Sequence, residues 1–307
     1  MVPRALLIAD VPWLLYRSYF ALPKSIVGAG GEPVNALLGT VNAILSFYEG
    51  RLPAPGPRGV VACMGAEQAD YRVALYPAYH AHREPMPPEL AAQWERAPAL
   101  LESFGWTYAT SDELEADDVM YSYAREEDAS GGRALLLTGD RDLYGAVSER
   151  VAVAELRGGG THGEIGPQQV RERYGVEPAQ VADFIALRGD PSDGLPGAPG
   201  VGAKTAAALL REHGSLEALL SAAGADAHPG DADAAAVRAS VVMRPRVAAA
   251  LRENAQLLRE FKRIAILQRI EVERPADRDP DYAHGAETAR ALGMSRLAER
   301  LGRLATA

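Results

Sequence analysis

Four short apolar runs limit most strongly what this chain can fold into. Ala5–Ala9, Gly59–Met64 and Ala134–Leu137 are apolar at successive positions, not at alternate ones, and Val151–Leu156 is so except at Glu155. A strand apolar on both faces has to be covered on both faces. Helical patterns over Asn35–Tyr48 and Pro88–Phe104 separate the first three runs. That alternation predicts an α/β fold on a parallel sheet with helices above and below. In such sheets ligands sit beyond the carboxyl ends of the strands. Two runs end there in an acid: LLIAD at Asp10 and LLLTGD at Asp140.

The character changes after Gly160. From about Ile165 the pattern is helical, punctuated by Gly and Pro. Residues 222–236 are rich in Ala, Asp, Gly and Pro and read as a loop, and Met243–Gln268 resumes a helical pattern. Arg274–His284 is a polar break before a last short helix. The expected division is a core over 1–164, a helical region over 165–270, and a tail with a helix over 271–307. Tyr76–Leu90, YPAYHAHREPMPPEL, carries four prolines and a basic centre, so it reads as an arching connection outside the core. No solenoid-period repeat is present.

The 307 residues allow one large domain or two modest ones. A single cysteine, Cys63, excludes an internal disulfide framework and a Cys-rich zinc site, and reads as a small buried hydrophobe. Trp13 and Trp106 are expected in the core. No apolar run approaches the ~20 residues of a membrane span. The start, MVPRALLIADVPWLLYRSY, has an Asp inside its apolar stretch, where a signal peptide should have none, so a cytoplasmic protein is expected. A net charge of −9 argues against a general nucleic-acid coat, because an acidic field repels phosphate. Two bound divalent ions would bring −9 to −5. Only Lys24, Lys204 and Lys262 are lysines, so the absence of Lys from any one site carries little weight.

Three acidic clusters join Asp10: Glu115, Asp117 and Asp118 at a helix start; Asp140 and Asp142 in a turn after a strand; and Asp190 with Asp193. Glu115 and Asp118 are three apart and would share a helix face, with Asp117 beside them. Each cluster alone fits helix-start acids favoured by the helix dipole, or solvated turn acids. Together at strand ends they would repel one another unless cations neutralise them. Hard divalent cations take oxygen ligands, and Mg²⁺ leans on a few carboxylates. Two such ions about 4 Å apart suit phosphodiester hydrolysis.

Gly189–Thr205, GDPSDGLPGAPGVGAKT, runs into the helical stretch AAALLREHG. Its Pro-Gly and Gly-x-Gly steps set tight turns. Amides from Val201 to Lys204 open a helix and form an anion site, to which Lys204 adds a point charge. The expected use is backbone-phosphate binding without base readout. It is not a nucleotide P-loop, since Ala follows Gly202 where that motif needs Lys.

With these motifs assembled, the sequence resembles the 5′–3′ exonuclease and flap endonuclease family, the 5′ nuclease domains of bacterial DNA polymerase I and their stand-alone relatives. The resemblance covers roughly Ala5 to Leu220. It rests on LLIADVPWLLYRSYFAL, YRVALYPAYHAHREPMP, ELEADDV, TGDRDL and ALRGDPSDGLPGAPGVGAKTA, in matching order and spacing. It implies a PIN-like core with a helical arch near Tyr76–Leu90 and an all-helical helix-three-turn-helix holding the hairpin. It implies Mg²⁺ or Mn²⁺ at two sites on Asp10, Glu115, Asp117, Asp118, Asp140, Asp142, Asp190 and Asp193. The hairpin Gly197–Gly202, with Gly200, Val201 and Lys204, corresponds to the family's duplex-binding loop, which often holds K⁺ as well. Arg83 corresponds to a catalytic arch arginine and Tyr79 to the arch aromatic. His80, His82, Arg17 and Arg72 are further expected phosphate contacts. The implied partner is DNA with 5′ flaps, nicks or free 5′ ends, or RNA primers on DNA.

Two positions depart from the family. Its second strand ends in an Asp seven residues before an Arg; here Arg72 is that Arg and position 65 is Gly. Glu67 is the nearest acid that could substitute, in another register. The arch lysine is replaced by His80, which is charged only in part near neutral pH. An alternative reading is therefore a catalytically impaired protein that binds branched DNA without efficient cleavage. A haloacid-dehalogenase-like phosphatase is disfavoured, because its first motif needs an acid where Pro12 stands.

Overall fold

β1 (Leu6–Asp10) is buried along its whole length, in parallel register with β2 (Gly59–Cys63) on one side and β4 (Ala134–Leu137) on the other. This is a computed structural model, and it describes residues 4–49, 56–156, 162–225 and 243–306. β3 (Thr107–Ala109) extends the sheet beyond β2, and β5 (Val151–Leu156) lies parallel beyond β4. β6 (His162–Ile165) closes the other edge antiparallel to β5, giving the order β3-β2-β1-β4-β5-β6. The four apolar runs are the four central strands. β3 and β6 went unread because short, partly polar edge strands lack the two-faced apolar signature. The sheet is therefore parallel except at one edge.

Alternate residues of the strands feed two cores. Leu6, Ile8, Val61 and Cys63 face one, and Leu7, Ala9, Val60 and Ala62 the other. The second core receives α1 (Val11–Ala21), α2 (Asn35–Leu45) and, beyond α3 (Asp70–Leu75), α4 (Pro88–Trp94) and α5 (Ala97–Glu102). The continuous helix expected over Pro88–Phe104 is split into α4 and α5. Pro98 has no amide to donate and its ring would meet the preceding turn, so a new helix starts there. Between Tyr76 and Pro87 there is no regular helix, only turns and extended chain. The expected helical arch is here a short strap, in keeping with Pro77, Pro85 and Pro87.

The first core receives α6 (Ala116–Ala129) and the helical half of the chain. That half comprises α7 (Pro167–Tyr174), α8 (Val181–Arg188), α9 (Ala203–His213), α10 (Leu216–Ala222), α11 (Pro245–Glu253) and α12 (Ala255–Ala265). α8, the glycine-rich loop and α9 follow one another where the helix-three-turn-helix is expected. The loop read over 222–236 falls mostly outside the described residues.

The last segment is neither a free tail nor a single helix. α13 (Tyr282–Ala291) and α14 (Ser295–Leu304) pack back onto the second core, with Gly285 against the Phe104 ring. The chain from Gln268 to Arg274, leading into the polar break, runs along α6 as a bound strap. Asp118 and Ser122 accept from the amides of Gln268 and Ile270 at 2.7 and 3.0 Å. Buried Glu127 pairs with buried Arg58 and with Arg274. Among the described residues no helix is long and apolar enough to cross a membrane.

Candidate active site

Asp10 ends β1 and also caps α1, its Oδ1 accepting from the Trp13 amide at 3.0 Å. The neighbouring strand β4 leads into Thr138, which is fully buried. The Thr138 hydroxyl donates to Asp10 Oδ2 at 2.6 Å and accepts from the Asp140 amide at 2.9 Å. Asp140 Oδ1 in turn accepts from the Asp142 amide at 2.9 Å. A chain of hydrogen bonds thus knits the acids at two adjacent strand ends, where a parallel sheet presents its ligand site.

Asp117 faces them from the first turn of α6, and Glu115 is the residue just before that helix. Asp190 and Asp193 come from the turn after α8. Asp190 Oδ2 accepts from Arg188 at 2.8 Å, its other oxygen is held by the Ser192 hydroxyl and amide, and Arg188 stands over the Phe184 and Tyr174 rings. Asp10, Glu115, Asp117, Asp140, Asp142, Asp190 and Asp193 all line one cavity of about 1350 Å³.

The electrostatics follow from this crowding. Burial first, then repulsion from Asp140 and Asp10, lifts the Asp117 carboxyl well above its ordinary range. Asp142 is lifted likewise by burial and by Asp140, with Arg188 opposing. Burial also raises Asp10, against the Thr138 and Trp13 hydrogen bonds. Asp140 is pushed up to about 6, chiefly by burial. Such a set of oxygen donors is short of positive charge, and a hard divalent cation is the species that supplies it. Among the described residues no group of three or more His, Cys, Asp or Glu is arranged to hold an ion directly. The donors fit an ion that keeps several waters and takes one or two carboxylates, as Mg²⁺ does.

The eighth expected acid is placed elsewhere. Asp118 is fully buried, and Arg72 donates to it at 2.9 Å. Glu115 is the extended N-cap residue of α6 and Asp118 lies three residues on; the two do share a side, as expected, but it is Arg72 that holds both.

Several expected DNA contacts line the same cavity but are buried and paired within the protein. Arg72 is buried, ion-paired to Glu115 at 3.1 Å and to Asp118, and donates to the Ile264 carbonyl. Its guanidinium, at the wall of the cavity, is engaged by these protein acceptors. Tyr79 is buried, with its hydroxyl on Glu115 at 3.0 Å. His80 is buried, with Nε2 on Asp193 at 3.0 Å. By contrast His82, Arg83 and Arg17 are exposed, with Arg17 over the Trp13 ring and Arg83 at 3.9 Å from Asp193.

The hairpin divides in the same way. Gly197 is buried with φ +70°, and a Cβ there would lie 2.3 Å from the Gly189 amide nitrogen. Its glycine requirement is an internal close approach. Val201 is buried and its amide already donates to Ala198. Gly200, Gly202 and Lys204 are exposed, with open space around both glycines and α9 starting after Gly202.

Gly65 is filled by backbone. A Cβ there would come within 2.5 Å of Glu115 C and Ala116 N. The start of α6 occupies the place of the missing carboxylate. Glu67 lines the cavity near Tyr16.

Sequence reasoning missed an apolar wall. Trp13, Tyr16 and Phe20 line the cavity with Trp94 and Met86, and Phe20 is 70% exposed. Trp13 is half-buried over Gly139, not a core residue, whereas Trp106 is core. The spacing 13, 16, 20 on one face of a helix capped by Asp10 was the available signal. Thr138, Arg188 and Gln68 carried no such signal, since their roles come from partners distant in sequence or from a turn.

Residues 5–175 match the family model described as 5′-3′ exonuclease, N-terminal resolvase-like domain. Residues 176–282 match 5′-3′ exonuclease, C-terminal SAM fold. A 5′-3′ exonuclease of Streptomyces coelicolor is 38% identical over 231 residues, 70% of this chain and 74% of that protein. The thermostable DNA polymerase I of Thermus thermophilus is 41% identical over 214 residues, 70% of this chain and a quarter of that protein's length. The fold is similar to that of the bacteriophage T5 flap endonuclease in complex with DNA and metal ions, with a TM-score of 0.64 at 17% identity over 99% of this chain and all of that one. The catalytic core of Rad2 with DNA substrate superposes with a TM-score of 0.61 at 12% identity, over 99% of this chain and 92% of that one.

Proposed function

The chain belongs to the 5′–3′ exonuclease family, and from that premise we propose that it is a divalent-metal-dependent 5′ nuclease acting on DNA. The observation that carries the proposal is the meeting of seven carboxylates, from both halves of the chain, in one cavity. The substrates are 5′ flaps, nicks and free 5′ ends, or RNA primers on DNA. A cytoplasmic location fits such substrates. Asp10, Glu115, Asp117, Asp140, Asp142, Asp190 and Asp193 are the residues that would hold Mg²⁺ or Mn²⁺, at two sites. When bound, these ions supply an activated water and neutralise charge at the leaving oxygen.

The chain's own residues prepare the site. The Thr138 hydroxyl fixes Asp10 and Asp140 at the strand ends. Arg188 offsets part of the charge of Asp190 and Asp142. The exposed Arg83 and His82 steer the strand, and Arg17 offers a phosphate contact. Tyr16, Phe20 and Trp94 give unpaired bases an apolar surface on which to stack. The first-turn amides of α9, with Gly200, Gly202 and Lys204, grip the downstream duplex through phosphates, independently of sequence. Carbonyls of the Gly197–Gly202 hairpin are the place for K⁺.

One observation favours the second reading, binding without efficient cleavage. Backbone fills the place of the family's carboxylate at Gly65, and Arg72 draws on Glu115. One experiment separates the two. An end-labelled 5′-flap duplex is incubated with Mg²⁺, with Mn²⁺ and with EDTA. Cleavage near the junction that EDTA abolishes, and that Asp140→Asn with Asp142→Asn lowers by about 10²–10³-fold or more, supports the nuclease. Cleavage that survives the double substitution would sink it. Flap binding without cleavage would establish the second reading.

A further inference from the structure

We infer that Tyr79 and His80 form a two-residue latch that positions Glu115 and Asp193, one acid from each half of the cavity, and that His80 is a positioning residue rather than a phosphate ligand. The inference rests on the metal-dependent reading of the site. The two rings stack at 3.8 Å with 24° between their planes. The Tyr79 hydroxyl reaches both oxygens of Glu115, and His80 Nε2 reaches Asp193 Oδ1. Consecutive residues thus tie the start of α6 to the turn after α8.

The latch is held from several sides. Gln68 Nε2 donates to the Tyr79 carbonyl at 2.7 Å, and the His80 amide donates to the Asp193 carbonyl at 3.2 Å. Gly194 presses on the Ala78 carbonyl so closely that a Cβ would lie 2.9 Å away. His80 has φ +56°, the only positive φ outside glycine among the described residues. An unfavourable backbone conformation persists only where its surroundings over-determine it. Tyr79 and His80 line the acid cavity, but the polar edge of the His80 ring is not free for substrate. Nε2 is engaged, and Nδ1 is buried without a hydrogen-bond partner. With Nδ1 enclosed in this way, the proton belongs on Nε2, where it can be donated to Asp193. Seven acids crowded into one cavity repel each other, so each needs a donor to hold its direction. Glu115 has Tyr79, Arg72 and the Ala69 amide; Asp193 has His80.

The test uses the full chain with Tyr79→Phe, His80→Ala and His80→Gln. Thermal melting confirms that each variant folds. Mn²⁺ binding is measured by calorimetry without DNA, flap binding by fluorescence anisotropy in EDTA, and cleavage against Mn²⁺ concentration. His80→Ala should weaken Mn²⁺ binding by about tenfold or more, as loss of a partner behind a metal ligand does. Tyr79→Phe should weaken it in the same direction, and His80→Gln, which keeps an N–H donor, should recover part of the loss. The DNA dissociation constant should stay within about twofold, since the Tyr79 hydroxyl and His80 Nε2 are engaged on carboxylates and are not offered to phosphate. Weakened DNA binding with unchanged Mn²⁺ affinity would overturn the inference and make His80 a phosphate ligand. If His80→Ala does not fold, Tyr79→Phe decides, because it removes one oxygen only. A wild-type protein that neither binds Mn²⁺ nor cleaves would overturn the nuclease reading as well. A wild type that does both, beside variants of equal Mn²⁺ affinity, would overturn the latch alone.

Discussion

Gly65 shows how one residue can close off a chemical option. Its missing side chain leaves no vacancy for a ligand, because the backbone of Glu115 and Ala116 stands where a Cβ would go. Restoring the family's acid therefore cannot simply restore a carboxylate. Gly65→Ala should cost about 1–3 kcal/mol of stability through overpacking against backbone that has little room to move, read as a lowered denaturation midpoint. Gly65→Asp should be at least as destabilised and should gain no cleavage. A Gly65→Asp protein that is stable and cleaves faster would show that the α6 start yields to a side chain.

At the scale of elements, two features make separable predictions. The exposed start of α9 presents Lys204 beside free first-turn amides. Lys204→Ala should weaken duplex binding uniformly across sequences and lower the slope of log affinity against log salt by about 1. A slope that does not change would move the duplex contact off this helix. The strap along α6 is held by Glu127, buried between Arg58 and Arg274. Glu127→Gln leaves the Arg58 charge buried and short of its partner, and should cost about 3 kcal/mol or more in denaturant unfolding. An unchanged midpoint would mean that Asp277, the other partner of Arg58, is sufficient.

For the whole molecule, the acid cavity couples folding to pH. Asp140 has its carboxyl raised from 3.8 to about 6, first by burial. A raised acid binds its proton more tightly folded than unfolded. Between those two values the folded protein holds a proton that the unfolded chain has released, so this group's contribution to stability falls as pH rises through the window. Asp140→Asn should therefore raise the melting midpoint of the metal-free protein near about pH 7.5, and the gain should vanish below about pH 4. Mg²⁺ should raise the wild-type midpoint at neutral pH by binding the folded state, and the variant less. Melting curves in EDTA and in Mg²⁺ check this, and a variant less stable than wild type at neutral pH in EDTA would refute it.

Much of this was legible in the sequence, for a reason. Short apolar runs alternating with helical patterns fit the central strands of a covered sheet, so β1, β2, β4 and β5, and the acids at the ends of β1 and β4, follow from local pattern. Motif order carried the family, and the glycine spacing carried the hairpin between α8 and α9. What local pattern could not reach was which way each polar side chain faces. Asp118 turns to Arg72, 46 residues away, and to the amide of Gln268, 150 residues away. Arg72 reaches the Ile264 carbonyl across 192 residues. Tyr79 and His80 look inward, and the strap from Gln268 to Arg274 leads into the polar break that brings α13 and α14 back to the core. A motif records which residues are near in sequence. Whether an arginine meets a phosphate or a buried carboxylate depends on what distant segments bring beside it, and only the folded chain decides that.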